Sequence, residues 1–484
     1  MAFFISFRVG EKEIKKEYTD AVLLKDAISE SGIAFAMPCG GRGVCGNCKV
    51  YAKGDLSTPN EKERTFLGNE IINGARLACF VTVFGDAEIK IPDGFVSETN
   101  EESDRDFDTD PISGEKKCFA CAIDVGTTTL FLRYYSLPEG RIVLQEHIPN
   151  PQCVRGADVL TRIEYASNGG LDELRDLVER VIDDSAIRFG EDIEFYVITG
   201  NTAMLHILSG RSPKGLAVSP FIPETLFGFW EGNRYYMPCA SAYIGADVIS
   251  SLLASGITKI ETPSALLDIG TNNECILWDG KRLFACSSPA GPAFEGANIS
   301  CGVAANKGAI YKVKDSDGIP VPFTLDADSV PCGFCGSGLI DFVAFLFKNG
   351  YITKDGSVIK DFPDFDGITL LPEDIAEVQL AKSAVCAGLL TLCETAGIQP
   401  KKLYLTGSFG NKLNAENAEY IGMIPKGVSK NCEISVCGAI EGASKLILNK
   451  NAFELANKLA KSVKYVELAD SSYFEKAFIE NLYF

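Results

Sequence analysis

The sequence predicts a small α+β domain followed by a duplicated, two-lobed α/β domain. Three observations carry this. Short strands and one helix surround a glycine-rich cysteine loop near the N-terminus, an acidic stretch poor in apolar residues follows, and an Asp-x-Gly-Thr motif then occurs twice, at Asp124 and at Asp268. The 484 residues suggest two to four domains, at ~100–200 residues each. An apolar share of 46% and a charged share of 23% exclude a fibre and a largely disordered chain.

Residues 1–95 are read first. AFFISFRV and KEIKKEY form a hairpin around Val9-Gly10, and Thr19 or Asp20 caps a helix through AVLLKDAISESG. A cysteine loop comes next, then the strand KVYAKG, the short helix NEKERTFL and the strands RLACFVTV and AEIKIP. The opening apolar stretch is too short for a signal segment and charges follow it at once. No apolar run approaches the ~18–20 residues of a membrane span. The expectation is therefore a cytoplasmic protein with no membrane partner.

Residues 96–117 form an acidic linker. Within 96–115 there are eight Asp or Glu and one Arg, more than a third of the chain's net −19. Such a stretch repels itself and has little to bury. The overall negative charge excludes nucleic acid as the main partner, because that affinity comes from Lys and Arg on phosphates.

The repeat organises the rest. AIDVGTTTLFLRYYSLPEGRIVLQ begins at Ala122 and LLDIGTNNECILWDGKRLFACSS at Leu266, each reading strand, tight turn, strand, hairpin, strand. YVITGN (196–201) echoes LYLTGS (403–408). This predicts a first lobe at 118–262 and a second at 263–484 with C-terminal helices, the chain's end (FEKAFIENLYF) completing an amphipathic one.

Chemistry is expected at two places. Cys39, Cys45, Cys48 and Cys79 follow C-x5-C-x2-C-x30-C. Four thiolates suit a [2Fe–2S] cluster, and the intervening glycines let the backbone wrap it. Zinc is the alternative, but zinc loops seldom place three glycines and an Arg between ligands. The other cysteines read as buried thiols, Cys118 and Cys121 pointing to opposite faces of a strand. Cys332-Gly-Phe-Cys335 is a candidate second metal or redox pair. Two histidines leave little room for His-based chemistry.

In the second place, each Asp-x-Gly-Thr turn can bring backbone N–H groups and Thr hydroxyls to a phosphate while the Asp holds hydrated Mg²⁺. Two such turns clamp a polyphosphate from both sides, and TGSFG (406–410) supplies a nucleoside turn. A small-molecule kinase with a redox-sensing domain is the competing reading, with Asp158 or Glu295 as its base.

The first motif resembles the single-cluster ferredoxins of the β-grasp fold. IDVGTTT, LDIGTNNE and LTGSFG resemble the phosphate-1, phosphate-2 and adenosine motifs of the superfamily of acetate and sugar kinases, chaperone ATPases and actin. The combination resembles the reductive activators of corrinoid proteins, as do NPQCVRGADVLTRI, ITGNTAMLHILSG, SPAGPAFEGANISCG and CGSGLID. The resemblance implies a β-grasp ferredoxin domain joined to an actin-like ATPase domain. It implies ATP-dependent or ATP-stimulated one-electron reduction of Co(II) to Co(I) in a corrinoid protein, a low-potential electron donor, bound Mg·ATP and a homodimer. It places Asp124 and Asp268 around the metal, Asp268 orienting the attacking water. Gly126, Thr127, Thr128, Thr129, Gly270, Thr271, Asn272 and Glu295 fall beside the phosphates, and Gly407, Ser408, Phe409 and Gly410 beside the nucleoside. Larger members of the family carry a further domain between linker and core, which this chain, its core starting near residue 118, is expected to lack.

Overall fold

The computed structural model describes residues 2–9, 12–31, 33, 48–91, 110–156, 158–270, 272–326, 329–407, 412–434 and 438–484. Cys39, Cys45, Thr271, Ser408, Phe409, Gly410 and most of the acidic linker lie outside them. Residue contacts divide the chain into two units, Met1–Leu226 with Trp230–Tyr236, and Phe227–Phe229 with Met237–Phe484.

The first unit opens on a six-stranded sheet. Phe3–Val9 pairs antiparallel with Lys12–Tyr18 and parallel with Thr82–Ile91. Thr82–Ile91 also pairs with Lys49–Leu56, which continues to Ala75–Leu77. Period-two alternation explains the core: Phe3, Ile5 and Phe7 are buried while Phe4 faces out. The helix Leu24–Glu30 covers this face with Leu24, Ala27 and Ile28.

Two expected elements differ here. The helix starts at Leu24 rather than after Asp20, because Val22 and Leu23 are drawn into the sheet opposite Val83 and Thr82. The pair RLACFVTV and AEIKIP is divided elsewhere. Ala75–Leu77 ends in a turn at 78–80, and one ten-residue strand then runs from Thr82 to Ile91. The helix Glu61–Leu67 is as expected, closed by Asn60 and Glu63 in a reciprocal capping box.

The repeat is visible as topology. Cys118–Val125, Thr129–Leu137 and Arg141–Pro149 form an antiparallel meander, and Ile193–Gly200 joins the first of them in parallel. In the second unit Ser264–Ile269, Asn272–Trp278 and Leu283–Pro289 form the same meander, with Lys402–Thr406 parallel to the first. Both sheets therefore run fourth, first, second, third.

The second unit's core lies between its sheet and two buried helices, Gly336–Lys348 and Pro372–Ala396. Pro372–Ala396 is long and apolar enough to cross a membrane by length and composition, yet 72% of its apolar window is buried inside the fold. Lys382 on it is fully buried, and its Nζ donates to the carbonyls of Asn481 and Tyr483 at 2.6 and 2.8 Å. Burial lowers its pKa to about 8.

The thiols follow the strand geometry. Cys121 is buried and Cys118 half-buried in one strand. Gly333-Phe334 is itself a short strand, paired with Ala309 and Ile310. Cys332 is exposed and Cys335 buried, with Cys335 Sγ donating to the Ile310 carbonyl at 3.5 Å.

Candidate functional site

Cys48 follows the cysteine loop and leads into the strand Lys49–Leu56, and Cys79 sits in the turn after Ala75–Leu77. The register Lys49↔Leu77 brings the two together. Their Sγ atoms are 3.3 Å apart. That spacing far exceeds the ~2.05 Å of a disulfide and suits two thiolates on one iron, so the described pair fits the cluster. Behind Cys79, Arg76 and Glu63 form a buried two-pronged ion pair at 2.9 and 3.0 Å. Glu63 also accepts the Leu77 N–H at 3.1 Å, fixing the strand that presents Cys79.

The first Asp-x-Gly-Thr turn spans Gly126 to Thr129, between the paired residues Val125 and Leu130. Gly126 is required: a Cβ there would stand 2.6 Å from the Thr129 carbonyl oxygen, which already accepts the Gly126 N–H. Two asparagines hold this turn. Buried Asn150 donates its side chain to the Gly126 carbonyl and its backbone N–H to the Thr128 carbonyl, both at 2.8 Å. Asn201 Nδ2 donates to Thr127 Oγ1 at 3.1 Å. Thr127 is half-buried, and Thr128 and Thr129 are exposed. Asp124 stands beside Thr199 in the parallel register.

The second turn is one residue shorter. Ile269 pairs with Asn273, so Asp268 faces Glu274, whereas Asp124 faces Phe131. The Asp-Thr neighbour relation recurs as Asp268 beside Thr406. Gly407 has φ +84°, and a Cβ on it would lie 2.5 Å from Asp268 Oδ1. Glu295 reaches the same turn, its Oε1 3.3 Å from where a Gly270 Cβ would be. Asn272 is exposed.

Acid gathers around Asp268. Burial and the charge of Asp247 raise its pKa to about 7. Burial raises Asp247 to about 6 against its backbone hydrogen bonds. Burial, Asp268 and Asp247 push Glu274 well up. All three keep partial solvent access. A divalent cation relieves this repulsion. Among the described residues no three such groups are placed to ligate one ion together.

Asp268, Gly270, Asn272, Glu295 and Gly407 are thus gathered in the second unit, and Asp124, Gly126, Thr127, Thr128 and Thr129 in the first. The kinase reading loses one base, since Asp158 caps the helix Val159–Tyr165 by accepting both the N–H and the hydroxyl of Thr161. Sequence reasoning missed Asn150, Asn201, Asp247 and Glu274. Glu274 lies within LDIGTNNE, and only the hairpin register reveals that it faces Asp268. The asparagines stand inside NPQC and TGNT, where a polar residue directly before a helix is the available signal.

Three family models match the chain. A 2Fe-2S iron-sulfur cluster binding domain matches residues 8–83, a RACo middle region 119–260, and the C-terminal domain of RACo, the ASKHA domain, 262–484. The expectation that a further domain is missing is corrected: the stretch holding Asp124 matches the family's middle region. A corrinoid activation enzyme RamQ from Eubacterium limosum is 28% identical over 76% of this chain and 71% of its own. A [Co(II) methylated amine-specific corrinoid protein] reductase from Methanosarcina barkeri is 24% identical over 75% and 76%. A solved reductive activator for corrinoid,iron-sulfur protein superposes with a TM-score of 0.67 at 23% identity, over 99% of this chain and 98% of the other. Two RACo models match adjoining stretches that together span nearly all of 119–484, behind a 2Fe-2S domain, and the chain belongs to the RACo family.

Proposed function

We propose that this protein reactivates a corrinoid protein by one-electron reduction of Co(II) to Co(I), with ATP bound or hydrolysed in support. The carrying observation is the Cys48–Cys79 pair at 3.3 Å in a ferredoxin-type sheet on the same chain as two Asp-x-Gly-Thr turns. The relatives' names point the same way. When bound, the cluster supplies one-electron transfer at a low potential.

The chain's own residues do the rest. Cys39, Cys45, Cys48 and Cys79 hold the cluster. Thr127, Thr128 and Thr129 offer hydroxyls to the nucleotide phosphates, and Gly126 allows the backbone to close on them. In the second unit Gly270, Thr271 and Asn272 do the same. In the second unit Asp268 would suit hydrated Mg²⁺ and orient a water, and Gly407 to Gly410 would take the nucleoside; in the first unit Asp124 is the corresponding carboxylate. The division 1–95, 96–117, 118–262 and 263–484 belongs to this reading, as do a low-potential donor, a cytoplasmic setting and a homodimer. Mixed anaerobically with a Co(II) corrinoid protein and a reductant, the chain should produce the Co(I) absorbance, faster with Mg·ATP. No Co(I) under those conditions contradicts the proposal.

A further inference from the structure

Three backbone carbonyls of the turn at Gly126–Thr129 already accept hydrogen bonds. The Gly126 and Thr128 carbonyls take hydrogen bonds from Asn150, and the Thr129 carbonyl takes the Gly126 N–H. A ligand that accepts hydrogen bonds suits a turn most of whose carbonyls are taken in this way.

Asn201 determines what Thr127 adds. The two ends of an amide side chain differ, since the oxygen accepts and the nitrogen donates. Asn201 Oδ1 accepts the Met204 backbone N–H at 2.9 Å, which fixes the orientation of the amide. Nδ2 is therefore the end 3.1 Å from Thr127 Oγ1. A nitrogen bearing two hydrogens cannot accept, so the hydroxyl oxygen accepts and its own hydrogen is left to donate elsewhere.

We infer that Asn201 is a positioning residue that turns the Thr127 hydroxyl into a dedicated donor for a phosphate oxygen, making this turn selective for an oxyanion. The inference rests on reading the turn as a phosphate site. It goes further in naming the residue that sets the hydroxyl's direction and the ligand chemistry that follows.

The test measures binding by calorimetry on the full-length protein, with two probes: the Mg²⁺ complex of a nonhydrolysable ATP analogue, and adenosine. Asn201→Asp keeps a good helix cap but presents an acceptor to Thr127, reversing the hydrogen bond. Asn201→Ser also caps, carries no charge and is too short to reach. Thr127→Val removes the hydroxyl at nearly constant shape. A hydrogen bond to a charged group sets the expected loss in analogue affinity at about ten- to a hundredfold for Asn201→Asp and Thr127→Val, with a smaller loss for Asn201→Ser. Adenosine affinity and the ligand-free melting temperature should stay at wild-type values.

Full affinity in Thr127→Val overturns the phosphate reading and this inference together. Loss in Thr127→Val with wild-type affinity in both Asn201 variants overturns the inference alone. Loss in Asn201→Asp but not in Asn201→Ser means simple charge repulsion and also overturns it. Equal losses for analogue and adenosine mean a general disturbance and overturn it too.

Discussion

Glu63 has no exposed surface, and Arg76 is its partner through two hydrogen bonds. Removing one member of such a pair leaves a buried charge uncompensated, which costs ~3–5 kcal/mol. Arg76→Ala should therefore lower iron content per chain and the temperature at which the cluster's visible absorbance is lost. Unchanged iron content and bleaching temperature would show that the strand before Cys79 does not depend on this pair. The acids near Asp268 make an opposite kind of demand. Their native pKa values lie above the unfolded ones, so the stability they contribute is present below pH ~4 and is lost as pH rises through about 6 to 7. Mg²⁺ should accordingly raise the melting temperature more at pH 8 than at pH 5.5, and Asp268→Asn should shrink that difference. The four cluster cysteines, Asp124 and Asp268 were legible as residues because their chemistry is local: a spacing, a strand end, a glycine. Asn201 was not, because its role depends on which end of its amide meets Thr127.

At the scale of elements, two helices of the second unit cross at close range. Ala246–Ser255 carries Asp247 at its start, and Ala439–Leu448 meets it where Ser250 Oγ donates to the Ala439 carbonyl at 2.5 Å. Gly442 allows this: a Cβ on it would stand 2.1 Å from the Ser250 carbonyl oxygen. The obstacle is backbone, so Gly442→Ala must move a helix, an overpacking cost of ~1–3 kcal/mol or more. Denaturant unfolding should show that loss, and Mg·ATP affinity should fall with it, because the displaced helix carries Asp247. Wild-type stability in this variant would contradict the crossing. Gly407→Ala should also weaken nucleotide binding, since its positive φ and the 2.5 Å approach to Asp268 both oppose a Cβ. Strand alternation made Phe3–Val9 readable, and repetition of Asp-x-Gly-Thr made both meanders readable. The start of the first helix was misplaced because Val22 and Leu23 are claimed by a partner strand more than fifty residues away, which no local pattern records. Asp247 was missed for the same reason: its approach to Asp268 is set by helix packing and not by spacing.

At the scale of the whole molecule, a 2Fe-2S domain is joined to a duplicated fold whose two copies each carry an Asp-x-Gly-Thr turn. The duplication was legible from two short motifs, and the shared strand order of the two sheets is its structural counterpart. What the motifs hid is asymmetry. One turn is a residue shorter, faces an acid rather than a phenylalanine, and gathers Asp247, Glu274 and Glu295 nearby, whereas the other is held by two asparagines. In the proposed reaction electrons reach cobalt through the cysteine site. Its most direct test is a single-turnover experiment with a Co(II) corrinoid protein, excess reductant and Mg·ATP, following the cobalt absorbance with the intact chain and with Cys79→Ser. Co(I) should form with the intact chain and almost none with Cys79→Ser, whose melting behaviour in the second unit should stay unchanged. Equal rates of Co(I) formation from the two proteins would contradict it.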